Sequence, residues 1–140
     1  MSESPAAVVR RFVEEYQSGS HDVAVAQKIL GDDFVDHSPV PGFPADRDGV
    51  LALFDMLFAA FDDFHAVIHR QVSEGEFVTT QKTFHGTHRG PFMGIAPTGT
   101  AVTFDVIDIL RVTDGQMREH WNVVDMLGLI QQLGGVPIPG

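Results

Sequence analysis

Apolar residues recur at helical spacing through the first 61 residues and at every second residue after Asp63. Ala6, Val9, Phe12, Val13 and Tyr16 mark a first helix, with Ser4 placed to cap it, Pro5 in its first turn and Gly19 beyond its end. A second helical segment, His21 to Leu30, opens near Asp22, carries Val23, Ala26, Ile29 and Leu30 on one face, and stops at Gly31. Phe34 to His37 reads as a short strand, and SPVPGFP, with its three prolines, as a loop. Asp46 is the expected cap of a third helix, whose Val50, Leu51, Phe54, Leu57, Phe58 and Phe61 form a wide apolar stripe that Asp62-Asp63 closes as a solvated end.

In the second half, Phe64 to Val72 and Phe77 to His88 read as strands joined by the turn Glu74-Gly75-Glu76. Arg89 to Gly99 is a Gly/Pro-rich loop, and its Phe92, Met93 and Ile95 should be tucked over something rather than exposed. Thr100 to Val112 and Gln116 to Val124 are the remaining strands; Asp125 caps a short helix to Leu133, and GGVPIPG is a tail. Helices followed by a meander of strands predict an α+β fold, a curved antiparallel sheet wrapped around three N-terminal helices in one domain spanning residues 1–140. A chain of this length buries ~68% of its unfolded surface. The strand from Thr100 is apolar on both parities, Phe104, Val106 and Leu110 on one and Ile107 and Ile109 on the other. Helices cover only one face of such a sheet, so Ile107, Ile109 and Trp121 are expected to meet a second subunit.

Charge and composition narrow the partners. A net charge of −10 argues against nucleic acid and anionic membranes, both of which call for clustered Lys and Arg. With no cysteine, disulfides, thiol catalysis and cysteine-ligated zinc are excluded. No apolar run approaches the ~20 residues that span a bilayer, and MSESPAAVVRRFVEEY is not a secretory signal, so a cytoplasmic location is expected.

The candidate chemistry sits in the last hairpin. Asp108 interrupts an apolar strand, where an ionised, unpaired carboxylate costs several kcal/mol, so it is paired or neutral. A two-residue turn at Asp114-Gly115 sets Asp108 opposite Trp121; a three-residue loop, Thr113-Asp114-Gly115, sets it opposite His120. The second register is preferred, because it gathers Asp108, His120 and Asn122 on one face as the wall of a ligand cavity. Asp108 and His120 then form either a mutually satisfying structural pair or a catalytic dyad, and the Asn122 amide can hydrogen-bond a carbonyl or enolate oxygen. Phe12, Tyr16, Phe54, Phe92 and Met93 are candidates to line the site, with His37 at its rim. A metal is not expected: His65 and His69 on a strand lie ~13 Å apart, and His85 and His88 point to opposite faces. No glycine-rich phosphate loop opens a helix, so no nucleotide cofactor is indicated.

HRGPFMGIAPTG, DILRVTDG and EHWNVVDMLGLIQQLG resemble the SnoaL-like polyketide cyclases, in the cone-shaped superfamily shared with ketosteroid isomerase and scytalone dehydratase. The resemblance runs from VVRRFVEEYQSG to QQLGG and implies an apolar pocket open at one end, with a homodimer or homotetramer formed through the sheet face. It also implies an acid/base Asp on the last strand and a helping His on the preceding one; the matching positions here are Asn122 and Asp108. Against ketosteroid isomerase, DILRV resembles the segment holding an oxyanion-binding Asp, Phe12 stands at the partner tyrosine, and the general base falls at Asp36, His37 or Ser38. The expected activity is cofactor-free acid/base chemistry, aldol cyclisation or isomerisation, on an apolar carbonyl compound. The alternatives are a non-catalytic binding protein for an apolar small molecule and a cofactor-independent hydroxylase.

Overall fold

Each helix starts where a short polar side chain takes over its first unpaired N–H groups. In the computed structural model, which describes residues 3–135, Ser4 accepts from the Ala7 N–H at 3.2 Å and opens α1 (Pro5–Glu15). Asp22 accepts from Ala24 and Val25, so α2 begins at Val23 rather than His21 and runs Val23–Ile29. Asp46 accepts from Gly49 at 3.0 Å and opens α3 (Arg47–Ala60), and Asp125 caps α4 (Met126–Gln132). The predicted tail begins with Gly134 and Gly135; its remaining residues, 136–140, lie outside the described residues.

Five strands form one sheet, β1 (Leu30–Asp36), β2 (Phe61–Glu74), β3 (Phe77–His88), β4 (Ala101–Thr113) and β5 (Gln116–Val124), in the order β1-β5-β4-β3-β2. The last four make the expected antiparallel meander, but β1 pairs parallel to β5, so the sheet is mixed at that edge. Leu30 ends α2 in an extended conformation and feeds β1 directly, with no tight turn to impose an antiparallel return. Asp62 and Asp63 belong to β2 rather than to a helix end, because Phe61 is already extended and buried; a bulge follows at the left-handed Asp63.

β4 alternates strictly: Val102, Phe104, Val106, Asp108, Leu110 and Val112 point inward and are buried, whereas Ile107 (50% exposed) and Ile109 point outward. The inner face packs against Val8, Val9, Phe12 and Val13 of α1 and Phe54 and Leu57 of α3, forming the core with Phe61, Phe64 and Phe84. No helix among the described residues is long and apolar enough to cross a membrane.

The β4–β5 hairpin closes with the two-residue turn, not the preferred three-residue loop, yet the register beyond it matches neither expectation. Asp114 and Gly115 form a two-residue turn, both with positive φ (53° and 74°), and Thr113 pairs with Gln116. An extra residue, Arg118, then bulges out of β5, tied to Thr113 and Asp33. Beyond it Leu110 faces His120, Ile109 faces Trp121 and Asp108 faces Asn122. The bulge moves the inward phase of β5 from odd to even positions, so Met117, His120 and Asn122 all turn to the inside.

Candidate functional site

A cavity of two adjoining lobes, about 70 and 160 Å³, lies between the inner face of the sheet, α1, α3 and the loop from β1 to α3. Phe12, Phe34 and Phe54 line the smaller lobe; Phe43, Phe92, Met93 and Phe104 line the larger one. Where the lobes meet, the wall is polar: Gln17, Lys82, Asp108, His120 and Asn122 border both.

These polar groups are linked in a row. Asp36, inward at the end of β1 and paired with His120, presents Oδ1 to His120 Nδ1 at 3.1 Å and accepts the Ser38 N–H at 2.9 Å. Desolvation pushes the Asp36 carboxyl up, but the hydrogen bond and charge of His120, the Ser38 N–H and the charge of His37 together hold it below the usual carboxylate range. An ionised Asp36 only accepts, which assigns the proton of the imidazole to Nδ1 and leaves Nε2 turned toward Asp108. Asp108, 3% exposed, pairs its Oδ2 with Lys82 Nζ at 2.9 Å, and Lys82 donates a second bond to Gln17 Oε1 at 2.8 Å. Asp108 Oδ1 is buried with no hydrogen-bond partner among the described residues. Ser38 Oγ accepts the Asn122 backbone N–H, which fixes that strand end against the loop.

Asp108 and His120 share a face, as expected, but they do not form the expected directly opposed pair. His120 is one step along from Asp108, and Nε2 lies 3.9 Å from Oδ2, beyond hydrogen-bond reach. Asp36 orients the imidazole instead, and Lys82 balances Asp108. Asn122, Phe12, Phe54, Phe92 and Met93 border the cavity, whereas Tyr16 and His37 do not. Tyr16 sits at the end of α1, enclosed by Phe12, Phe54 and Phe58 with its hydroxyl unpartnered. Burial, and then the charge of Asp55, push its phenol up. His37 follows the inward Asp36 and therefore turns outward, stacking on Trp121 at 4.6 Å and reaching Glu119 at 3.0 Å.

The comparison with known sequences settles the lineage of this arrangement. The profile of the SnoaL-like polyketide cyclases matches residues 7–133. The chain belongs to that family. It is 30% identical over 130 residues to the aklanonic acid methyl ester cyclase DauD of Streptomyces sp. (strain C5), covering 91% of this chain and 80% of that protein. The corresponding cyclase DnrD of Streptomyces peucetius is likewise 30% identical over 130 residues, covering 91% and 88%. Among solved structures, IdmH of Streptomyces antibioticus, itself proposed to be a polyketide cyclase, superposes with a TM-score of 0.83 at 31% identity, covering 94% of this chain and 99% of that one. AclR of Streptomyces galilaeus, proposed to be a hydroxylase, gives a TM-score of 0.85 at 28% identity, covering 96% and 87%.

In this SnoaL-like protein, Lys82 and Gln17 were not apparent as site residues from the sequence, and Asp36 was one of three alternatives. Lys82 does leave a trace: Val78, Thr80, Lys82 and Phe84 occupy one parity of β3, and an apolar residue at either end of that row places the lysine inside. Gln17 lies beyond α1, outside any periodic element, and carries no such mark.

Proposed function

We propose that this protein catalyses a cyclase-type reaction on an apolar, carbonyl-bearing small molecule, without a cofactor. His120 Nε2 removes a proton next to a carbonyl, and Asp36 holds the imidazole in that tautomer and balances the imidazolium that forms. The Asn122 amide donates to the developing enolate oxygen. The enolate carbon then adds to a second carbonyl of the same molecule, and the proton returns to the new alkoxide, so substrate and product are isomers. The observation that carries this reading is the Asp36–His120 hydrogen bond, which leaves a free imidazole nitrogen at the polar waist of an apolar cavity.

Aklanonic acid methyl ester, the compound after which the relatives are named, is the first substrate to try. The expected product has the mass of the substrate. With His120→Gln, turnover should fall ~10²–10⁴-fold, the usual range for a general acid–base residue, while binding changes little. An active enzyme indifferent to His120→Gln would overturn the mechanism. The similarity to AclR favours hydroxylation as the second reading, which a product heavier by one oxygen would reveal. A binding protein would give no product in any variant. We further propose that the exposed outer face of β4 and β5 joins two copies of the chain.

A further inference from the structure

We propose that Lys82 condenses with a carbonyl of the ligand, so that the site works through a lysine imine. The inference deepens the cyclase reading and rests on it for the carbonyl ligand. Lys82 occupies an inward position of β3, is 2% exposed, and borders both lobes with its Nζ 5.2 Å from the centre of the Phe84 ring. It is one of only two lysines, Lys28 and Lys82, among the nine basic residues of the chain; the others are arginines.

The choice of residue is informative. The surface ion pairs to Asp32, Asp33 and Glu119 are made by Arg47, Arg118 and Arg111. Arginine is also the usual cation of a buried pair, since its planar fork meets a carboxylate with two bonds and it is weakly hydrated. A lysine instead brings an amine that can give up its proton and act as a nucleophile toward carbonyl carbon. Here that amine borders the cavity, with a proton acceptor 2.9 Å away. The second oxygen of the same acceptor, Asp108 Oδ1, is buried and unpartnered, which leaves it available to the hydroxyl of an addition intermediate.

The step balances within these groups. Lys82 passes one proton to Asp108 Oδ2, leaving an amine and a neutral carboxyl. Nζ bonds to the carbonyl carbon, the C=O pair moves to oxygen, and a proton is relayed from nitrogen to that oxygen, giving a carbinolamine. Asp108 protonates the hydroxyl, the C–O bond breaks and water leaves. The products are a protonated imine, an Asp108 carboxylate and one water, with the net charge unchanged. Asp108 therefore faces a cation both before and after condensation. His120 Nε2 can then take the adjacent proton to give an enamine, the carbon nucleophile of ring closure; later hydrolysis frees the lysine.

The test uses the intact protein with 2-tetralone, an apolar bicyclic ketone, and sodium cyanoborohydride, which fixes a protonated imine as a secondary amine. The expected result is one adduct per chain, mapped by peptide mass spectrometry to Lys82, with Lys28 labelled far less. Lys82→Arg and Lys82→Met should both lose that adduct. Mapping on the wild type is decisive even where a variant fails to fold. No Lys82 adduct, or equal labelling of Lys28 and Lys82, overturns the imine. Turnover of aklanonic acid methyl ester, measured without reductant, tests the cyclase reading separately: turnover with no adduct leaves His120 acting on the free ketone, and an adduct without turnover leaves an imine-forming site that is not this cyclase.

Discussion

His120 stands between two carboxylates, and the nearer of them, Asp36, decides which nitrogen is free. Asp36→Asn retains the shape but lets either face of the amide meet Nδ1, so the assigned tautomer is no longer enforced. Turnover should drop by up to the ~10²–10⁴-fold that acid–base catalysis contributes. The same side chain makes stability depend on pH on the acid side. Its folded carboxyl lies below its unfolded value of ~3.9, so the unfolded chain binds more protons between the two values. That contribution is complete above the unfolded value and is lost as pH falls through the folded one. Urea titrations from pH 6 downward should therefore show a shallower acid loss in Asp36→Asn than in the wild type. Tyr16 offers a contrasting case, because its buried hydroxyl has no partner among the described residues. Tyr16→Phe is expected to be neutral or to stabilise by up to about 1–2 kcal/mol, with turnover unchanged, since it removes a polar group desolvated without compensation.

At the level of elements, the legible features were those with a period or a cap. The 3.6-residue stripe of Phe54 and Leu57, the twofold alternation of β4 and the caps Ser4, Asp22, Asp46 and Asp125 all announce themselves locally. Arg118 does not: one extra residue in β5 leaves no trace in composition, yet it sets which residue Asp108 faces. That is why the shared face of Asp108 and His120 could be anticipated while both candidate registers were offset. Partners brought together over long sequence separations, such as Lys82 with Gln17 and Asp36 with His120, depend on tertiary placement that no local pattern encodes. The loop after β1 provides a test at this scale. A Cβ on Gly49 would overlap the Pro44 carbonyl oxygen, so α3 and the loop carrying Val40, Pro41 and Phe43 can meet only at glycine. Gly49→Ala should cost about 1–3 kcal/mol in urea unfolding, in the range of overpacking, and weaken ligand binding by displacing that wall of the larger lobe.

For the whole molecule, the outer face of the sheet remains the open surface. Phe77, Ile107, Ile109 and Val123 (77% exposed) lie there around Trp121, which is stacked on His37. We propose that a second copy covers this apolar surface. Sedimentation at micromolar concentration should show a dimer or larger species, and Trp121→Arg should shift it to monomer, since an unpaired charge in an interface core costs several kcal/mol. A wild-type monomer would remove this assembly. The inside of the molecule sets a different kind of limit. Because the polar groups sit at the junction of two apolar chambers, a molecule that fills both must present its reacting atoms near its middle, with a bulky arm to each side. Compounds with one arm removed should still dock in a single chamber, but they slide past the junction and rarely align. Because one chamber has about 70 Å³ and the other about 160 Å³, the favoured shape should be lopsided, with the smaller arm and the larger arm on opposite sides of the reacting atoms.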